Sequence, residues 1–365
     1  MIKFGFRHSL LFPGLFILFI ALRRIIKFIL ESVVAKGLKF SYLMIIIMFI
    51  MEIIISIVYL LYNRIKNGSS GKSEFLGIVI YGDIPQLTRP DGNCRIILLG
   101  ILSSYFMFVG AISRRYVTSK SNKDIYDEFH ARYRSSEIII ASILCFFTLK
   151  NKIYKHHAFS LIIILVCLII VFTIGIVSEE NKKVLLMHIG ITLISSICRA
   201  FLDTIEKYLF DFNFIDIFKL MLFEGIVDML LTSSVYYFDK PRNEIYHLMD
   251  VKGGKLWAII GLLFVYCCLS GFKNVYRRFT VKEFTPMTRA LAESILDPFF
   301  IIYGYIQSDY SNSVNFIITL ICSIIMVFCS CVYNEIFVLY CCGLEYKTHL
   351  EIAIKSNSLE LSMDP

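Results

Sequence analysis

Charge is scarce in this chain. Asp, Glu, Lys and Arg make up 18% of its 365 residues, against about a quarter in soluble domains. Hydrophobic residues reach 57% and mean hydropathy is +0.70, more apolar surface than a soluble domain of this length can hide. No loop is long enough for a separate folded domain, so residues 1–365 read as one membrane domain with short tails. Catalytic patterns are also missing: there is no GxSxG, no HExxH and no phosphate-binding loop. That excludes the common enzyme classes and ATP-driven pumping, and no cofactor or metal is expected.

The cysteines lack a disulfide pattern. There are eleven, and Cys145, Cys167, Cys198, Cys267, Cys268, Cys322 and Cys329 lie inside apolar runs, where a thiol packs as a small hydrophobe. Cys329 and Cys331, like Cys341 and Cys342, lack the paired spacing and His partners of a zinc site. Cys341-Cys342, near a membrane edge, is a weak signal for palmitoylation. The pair His156-His157 sits in a basic loop and reads as a solvated turn. A cleaved signal is not evident: Lys3 and Arg7 precede the apolar run Leu10 to Leu22, but Arg23, Arg24 and Lys27 follow instead of a small-residue cleavage site. The net charge of +8 comes without the aromatic-plus-basic constellation of a nucleic-acid binder. Its Lys and Arg sit in short loops, as membrane topology requires, so the expected partners are the lipid bilayer and a small molecule, with a homodimer left open.

What the chain does have is long apolar runs. A bilayer core takes about 20 apolar residues of helix. Spans are placed at 9–30, 41–63, 95–114, 134–149, 157–178, 184–208, 216–238, 255–275, 286–306 and 314–338, the fourth being short. The runs do not alternate, which leaves helices rather than a barrel. The expected fold is therefore all-α and polytopic, with about ten transmembrane helices. Loop residues Lys150, Lys152, Lys155, Lys273, Arg277, Arg278 and Lys282 favour the cytosolic side, with both termini cytosolic. On that topology the sequon Asn67-Gly-Ser69 is cytosolic and unused.

Several spans carry ionisable residues, which are expensive in hydrocarbon and so face a partner or a water-filled path. Glu52 has apolar neighbours on both sides; a hydrogen bond to a neighbouring helix is the structural alternative to a functional role. Arg199 and Asp203 are four apart and can pair along one face. With Glu206 and Lys207 they also read as an interfacial ladder ending the helix. Glu224 and Asp228 share a face, where two carboxylates repel, an arrangement suited to proton or cation coupling. Arg289, Glu293 and Asp297 recur every four residues and make one stripe. Pro286 suits a first helical turn, and Pro298 frees a carbonyl and kinks the span, as in helices that line a substrate path.

Glu206-Lys207 at the end of the sixth span, followed by Phe223-Glu224-Gly225 in the seventh, resembles the midpoint signature of the drug/metabolite transporter superfamily. The similar branch is the nucleotide-sugar-transporter-like solute carriers, family 35. Phe40 to Glu52, Arg132 to His157, Phe284 to Pro298, and Tyr333-Asn334-Glu335 resemble its second helix, its short fourth helix with the basic turn after it, its ninth helix and the end of its tenth. Glu137 stands where that branch has a Gln- and Thr-rich stretch. The resemblance implies two five-helix repeats of inverted topology, 1–180 and 181–340, with a cytosolic tail at 341–365. It also implies a central cavity lined by helices 1–4 and 6–9, and residence in an endomembrane such as Golgi or ER.

The expected function is alternating-access exchange or co-transport of a small organic metabolite, a nucleotide sugar or related anion among them. Arg199 and Arg289 are candidates for attracting an anionic group. Glu52, Glu224, Glu293 and Asp297 complete the candidate substrate-binding set. A non-transporting scaffold or regulator with a carrier fold is the first rival, and a multi-helix receptor the second.

Overall fold

The computed structural model describes residues 11–30, 41–66, 92–120, 132–178, 182–239, 254–307 and 313–337, and every regular element among them is a helix. The sequon at Asn67, the pair Cys341-Cys342 and the tail 341–365 lie outside the described residues. In chain order the helices are α1 (Leu11–Phe28), α2 (Ser41–Lys66), α3 (Asn93–Lys120), α4 (Ser136–Thr148), α5 (Lys155–Ser178) and α6 (Lys182–Asp211). They continue as α7 (Ile217–Asp239), α8 (Gly254–Glu283), α9 (Pro286–Ser294), α10 (Asp297–Gln307) and α11 (Ser313–Tyr333). Six of them, α2, α3, α5, α6, α8 and α11, contain stretches long and apolar enough to cross a membrane. The molecule is thus all-helical with the character of a multi-pass membrane protein. The short fourth span is present as α4, a 13-residue apolar helix.

Local chemistry explains the boundaries. Asp216 starts α7: its Oδ1 accepts the amides of Phe218 at 2.9 Å and Lys219 at 3.2 Å, satisfying donors that a helix start leaves open. Thr285 does the same for α9, accepting the Thr288 amide at 3.2 Å, and Pro286 follows at a position where no amide hydrogen is needed. Three helices end on non-glycine residues with positive φ: Lys150 at 55°, Phe214 at 52° and Glu335 at 56°. At each, a later amide folds back to close the end, as Asn151 does onto the Cys145 carbonyl at 3.3 Å.

The expected ninth span is two helices. Continuity fails at Ile295 and Leu296, between α9 and α10. Pro298 is the physical reason: it has no amide hydrogen, and its ring collides with the carbonyl four residues back. The eighth span is longer than expected, with α8 continuing through Arg277 and Arg278 to Glu283.

The chain sorts into two units, Met1–Tyr116 with Phe201–Ala292, and Val117–Ala200 with Glu293–Pro365. Each draws on both sequence halves. In the first unit α8 packs on α1 and α2, and α7 packs on α2 and α8. Ile96, Leu209, Phe210, Phe218, Met221 and Val275 form part of one apolar cluster there. In the second unit α5 packs on α11 and α4, and α10 packs on α11. Cys145, Cys167, Cys198, Cys267, Cys322 and Cys329 are buried free thiols, packing as small hydrophobes. Leu98, Ile162, Leu230 and Phe264 are each at least 60% exposed, as suits side chains that meet lipid rather than water.

Two glycines set how closely helices approach α2. A Cβ at Gly225 on α7 would lie 3.0 Å from Ile53 Cγ1 and 3.6 Å from the Phe49 carbonyl oxygen; one at Gly271 on α8 would lie 2.6 Å from Ile55 Cδ1. Small residues allow this spacing in membrane helices. Gly225→Val should lower stability by about 1–3 kcal/mol through overpacking, whereas Gly261→Ala, where nothing lies within 4 Å, should change it little. Thermal unfolding of the detergent-solubilised variants measures both.

Candidate functional site

The first unit buries a network of charge, and α8 organises it. Arg278 is fully buried. Its Nη1 donates to Glu52 Oε2 on α2 at 3.2 Å, and its Nη2 donates to Glu224 Oε2 on α7 at 2.6 Å. Its Nε lies 3.2 Å from Glu206 Oε1 on α6. The adjacent Arg277 donates to Asp203 Oδ1 and to Glu206 Oε1, both at 2.5 Å. Asp203 also accepts from Arg289 Nε at 2.5 Å. The other oxygens of the two central glutamates are taken as well: Asn274 donates to Glu52 Oε1, and Ser103 on α3 donates to Glu224 Oε1 at 2.5 Å. Asp228 lies one turn past Glu224, also fully buried. In all, four carboxylates (Glu52, Asp203, Glu206, Glu224) pair with three guanidinium groups (Arg277, Arg278, Arg289), and Asp228 lies beside them.

The second unit holds a smaller network. Arg199 on α6 donates to Glu293 Oε2 at 2.7 Å and lies 3.7 Å from Glu137 Oε2 on α4. Arg134 lies 2.9 Å from Asp297 Oδ1 and donates to the Glu293 carbonyl oxygen at 3.2 Å. That carbonyl belongs to the last turn of α9, where the helix break leaves acceptors without intrahelical donors. A guanidinium fits both the freed carbonyl and the negative end of the helix dipole. The Arg199 and Glu293 side chains are each 11% exposed, against 1% or less for Arg278, Glu52, Glu224 and Arg289. Of these ion pairs, Arg199–Glu293 is the least buried.

The six sequence candidates therefore divide between the units. Glu52, Glu224 and Arg289 lie in the first; Arg199, Glu293 and Asp297 lie in the second. The expected stripe Arg289, Glu293, Asp297 assumed one continuous helix, and the break before Pro298 places Asp297 at the head of α10 instead. The partners found for Arg199 and Asp203 come from other helices. Glu206 is fully buried, paired with Arg277 and Arg278. Lys207 does sit at the helix end, 3.2 Å from Asp211.

Arg277 and Arg278 are the largest correction. As loop charges they counted toward topology; in fact they are helical, buried and central to the network. The available signal was the absence of a helix stop between Lys273 and the Phe284-Thr285-Pro286 turn. Arg134, at the start of the expected fourth span, is 3% exposed. His156-His157 is not a solvated turn. His156 is buried, with Nε2 3.2 Å from Glu335 Oε1, and His157 packs on Tyr333. One ligand atom from each of His156, His157 and Glu335 lies within 4.8 Å of the others.

Arg278→Met leaves Glu52 and Glu224 buried without their cation, and breaking a buried pair from one side costs about 3–5 kcal/mol. Combined with Glu224→Gln it should cost less than the two single changes added together. A double-mutant cycle by chemical or thermal unfolding reads the coupling.

Compared with known proteins, the chain matches no protein-family model and no curated protein sequence.

Proposed function

We infer that this chain is a secondary carrier that moves a small organic metabolite across a membrane by alternating access. The observation that carries the reading is the dense set of buried ion pairs that joins α2, α6 and α8, helices apolar enough to span a bilayer, to one another and to α7. Ionisable residues at that depth are expensive and mark substrate or ion pathways. The break between α9 and α10 adds support, because discontinuous helices with open backbone groups recur at carrier binding sites. The resemblance to the drug/metabolite transporter superfamily supports the finer picture of ten spans in two inverted five-helix repeats, with both termini cytosolic and an endomembrane location.

Arg199 is the anion-attracting group on this reading, since it and Glu293 form the least buried pair. A substrate phosphate or carboxylate would compete with Glu293 for the guanidinium fork. Nucleotide sugars and nucleotides have that chemistry. Glu52, Glu224 and Arg289 hold the first unit's helices and respond to the exchange rather than touch the solute. One observation favours the rival reading of a non-transporting scaffold: Arg278 already engages three carboxylates, as a purely structural lock would.

The test is uptake by purified protein in liposomes preloaded with nucleoside monophosphates, offered nucleotide sugars, nucleotides and simple metabolites. Saturable exchange by the wild type is expected. Arg199→Ala should lower it at least tenfold. Arg199→Lys, which keeps the charge but loses the fork geometry, should retain a fraction. Correctly inserted wild-type protein that moves none of the panel would favour the scaffold.

A further inference from the structure

Asp228 is the one carboxylate of the first unit's network for which both oxygens are buried without a hydrogen-bond donor among the described residues. It is 0% exposed. It lies one turn from Glu224 on its own helix and within electrostatic reach of Glu52 on α2 and of Arg277 and Arg278 on α8. Those two guanidinium groups are committed elsewhere, to Asp203, Glu206, Glu52 and Glu224. One turn further along α7, Thr232 is also fully buried, its hydroxyl without a partner among the described residues.

An ionised carboxylate that accepts no hydrogen bond, away from water and beside the two glutamates that Arg278 holds, is strongly disfavoured. A bound cation would relieve it. A metal cation such as sodium needs several oxygen ligands at once. The nearby oxygens of Glu52 and Glu224 are already taken by Asn274, Ser103 and Arg278, and the Arg278 guanidinium repels a second positive centre. A proton needs one carboxylate oxygen and no coordination shell.

We propose that Asp228 is a proton-binding site of the buried network, loaded while Arg278 holds Glu52 and Glu224. Release leaves Asp228 anionic and sends the proton to water on the side then open. The new carboxylate competes with Glu224 for Arg278 and so loosens the contact of α7 with α8. Proton release therefore loosens one helix contact. On the carrier reading, on which this step rests, substrate movement is coupled to proton movement.

Two measurements test this. Infrared difference spectra of the protein in lipid, recorded across a pH titration, should show the carbonyl stretch of a neutral carboxylic acid. The band should vanish in Asp228→Asn, shift in Asp228→Glu and persist in Asp211→Asn, whose aspartate is 42% exposed. Asp228→Asn should fold with an unchanged melting temperature, because an amide has nearly the shape of the neutral acid. A band that survives in Asp228→Asn overturns the site. If Asp228→Asn does not fold, an unshifted band in Asp228→Glu overturns it equally.

In proteoliposomes, an imposed pH gradient should speed net uptake of the nucleotide sugar or nucleotide that the wild type accumulates at least fivefold. Asp228→Asn should still exchange that compound and ignore the gradient. Wild-type uptake indifferent to the gradient overturns the coupling. Absence of uptake altogether overturns the carrier reading, and the infrared result then decides the proton site alone.

Discussion

A guanidinium group inside apolar helices survives only if carboxylates come to it, and Arg278 imposes that condition on the first unit. It requires Glu52 from α2, Glu206 from α6 and Glu224 from α7 to converge on one turn of α8. The helices must then approach closely enough for side chains of ordinary length to meet. Gly225 and Gly271 permit this where a larger residue would hold α7 and α8 away from α2. Apolar packing by Phe210, Phe218 and Met221 belongs to the same unit but does not choose the network's partners.

The second unit solves the same problem with different parts. Arg134 meets a carboxylate and a carbonyl left open by a broken helix, while Arg199 meets Glu293 and lies near Glu137. Its network is smaller and more accessible. The first unit's is larger, sealed and richer in carboxylates than in guanidinium groups. A sealed network suits groups that must change partners together, and an accessible one suits exchange with a solute.

Much of the fold was legible in the sequence because hydrocarbon permits few backbone solutions. Long runs such as Leu161 to Val177 could only be helices, and the short fourth span was visible from its length. The importance of Glu52 and Glu224 was legible for the same reason, since a carboxylate flanked by isoleucines and leucines needs an explanation. Their partners were not. Arg277 and Arg278 follow an apolar run and look like the basic edge of a membrane span, and only the extension of α8 to Glu283 buries them. Spacing along one helix suggested Arg199 with Asp203, but the pairs that form depend on which helices meet. Pro298 announced a disturbance, and the structure makes it a full break.

Gly271, Asn274 and Arg278 are spaced three and four residues apart, so they line one face of α8. Gly271 seats against Met51 and Ile55, while Asn274 and Arg278 both hold Glu52. Steric and polar contacts thus fix the same register against α2. Sliding by one residue would drive a side chain into Ile55 and pull both donors off the glutamate together. A one-residue insertion in this stretch would turn the face by about 100° with the same result. Helix α8 is thereby held against ratcheting along α2.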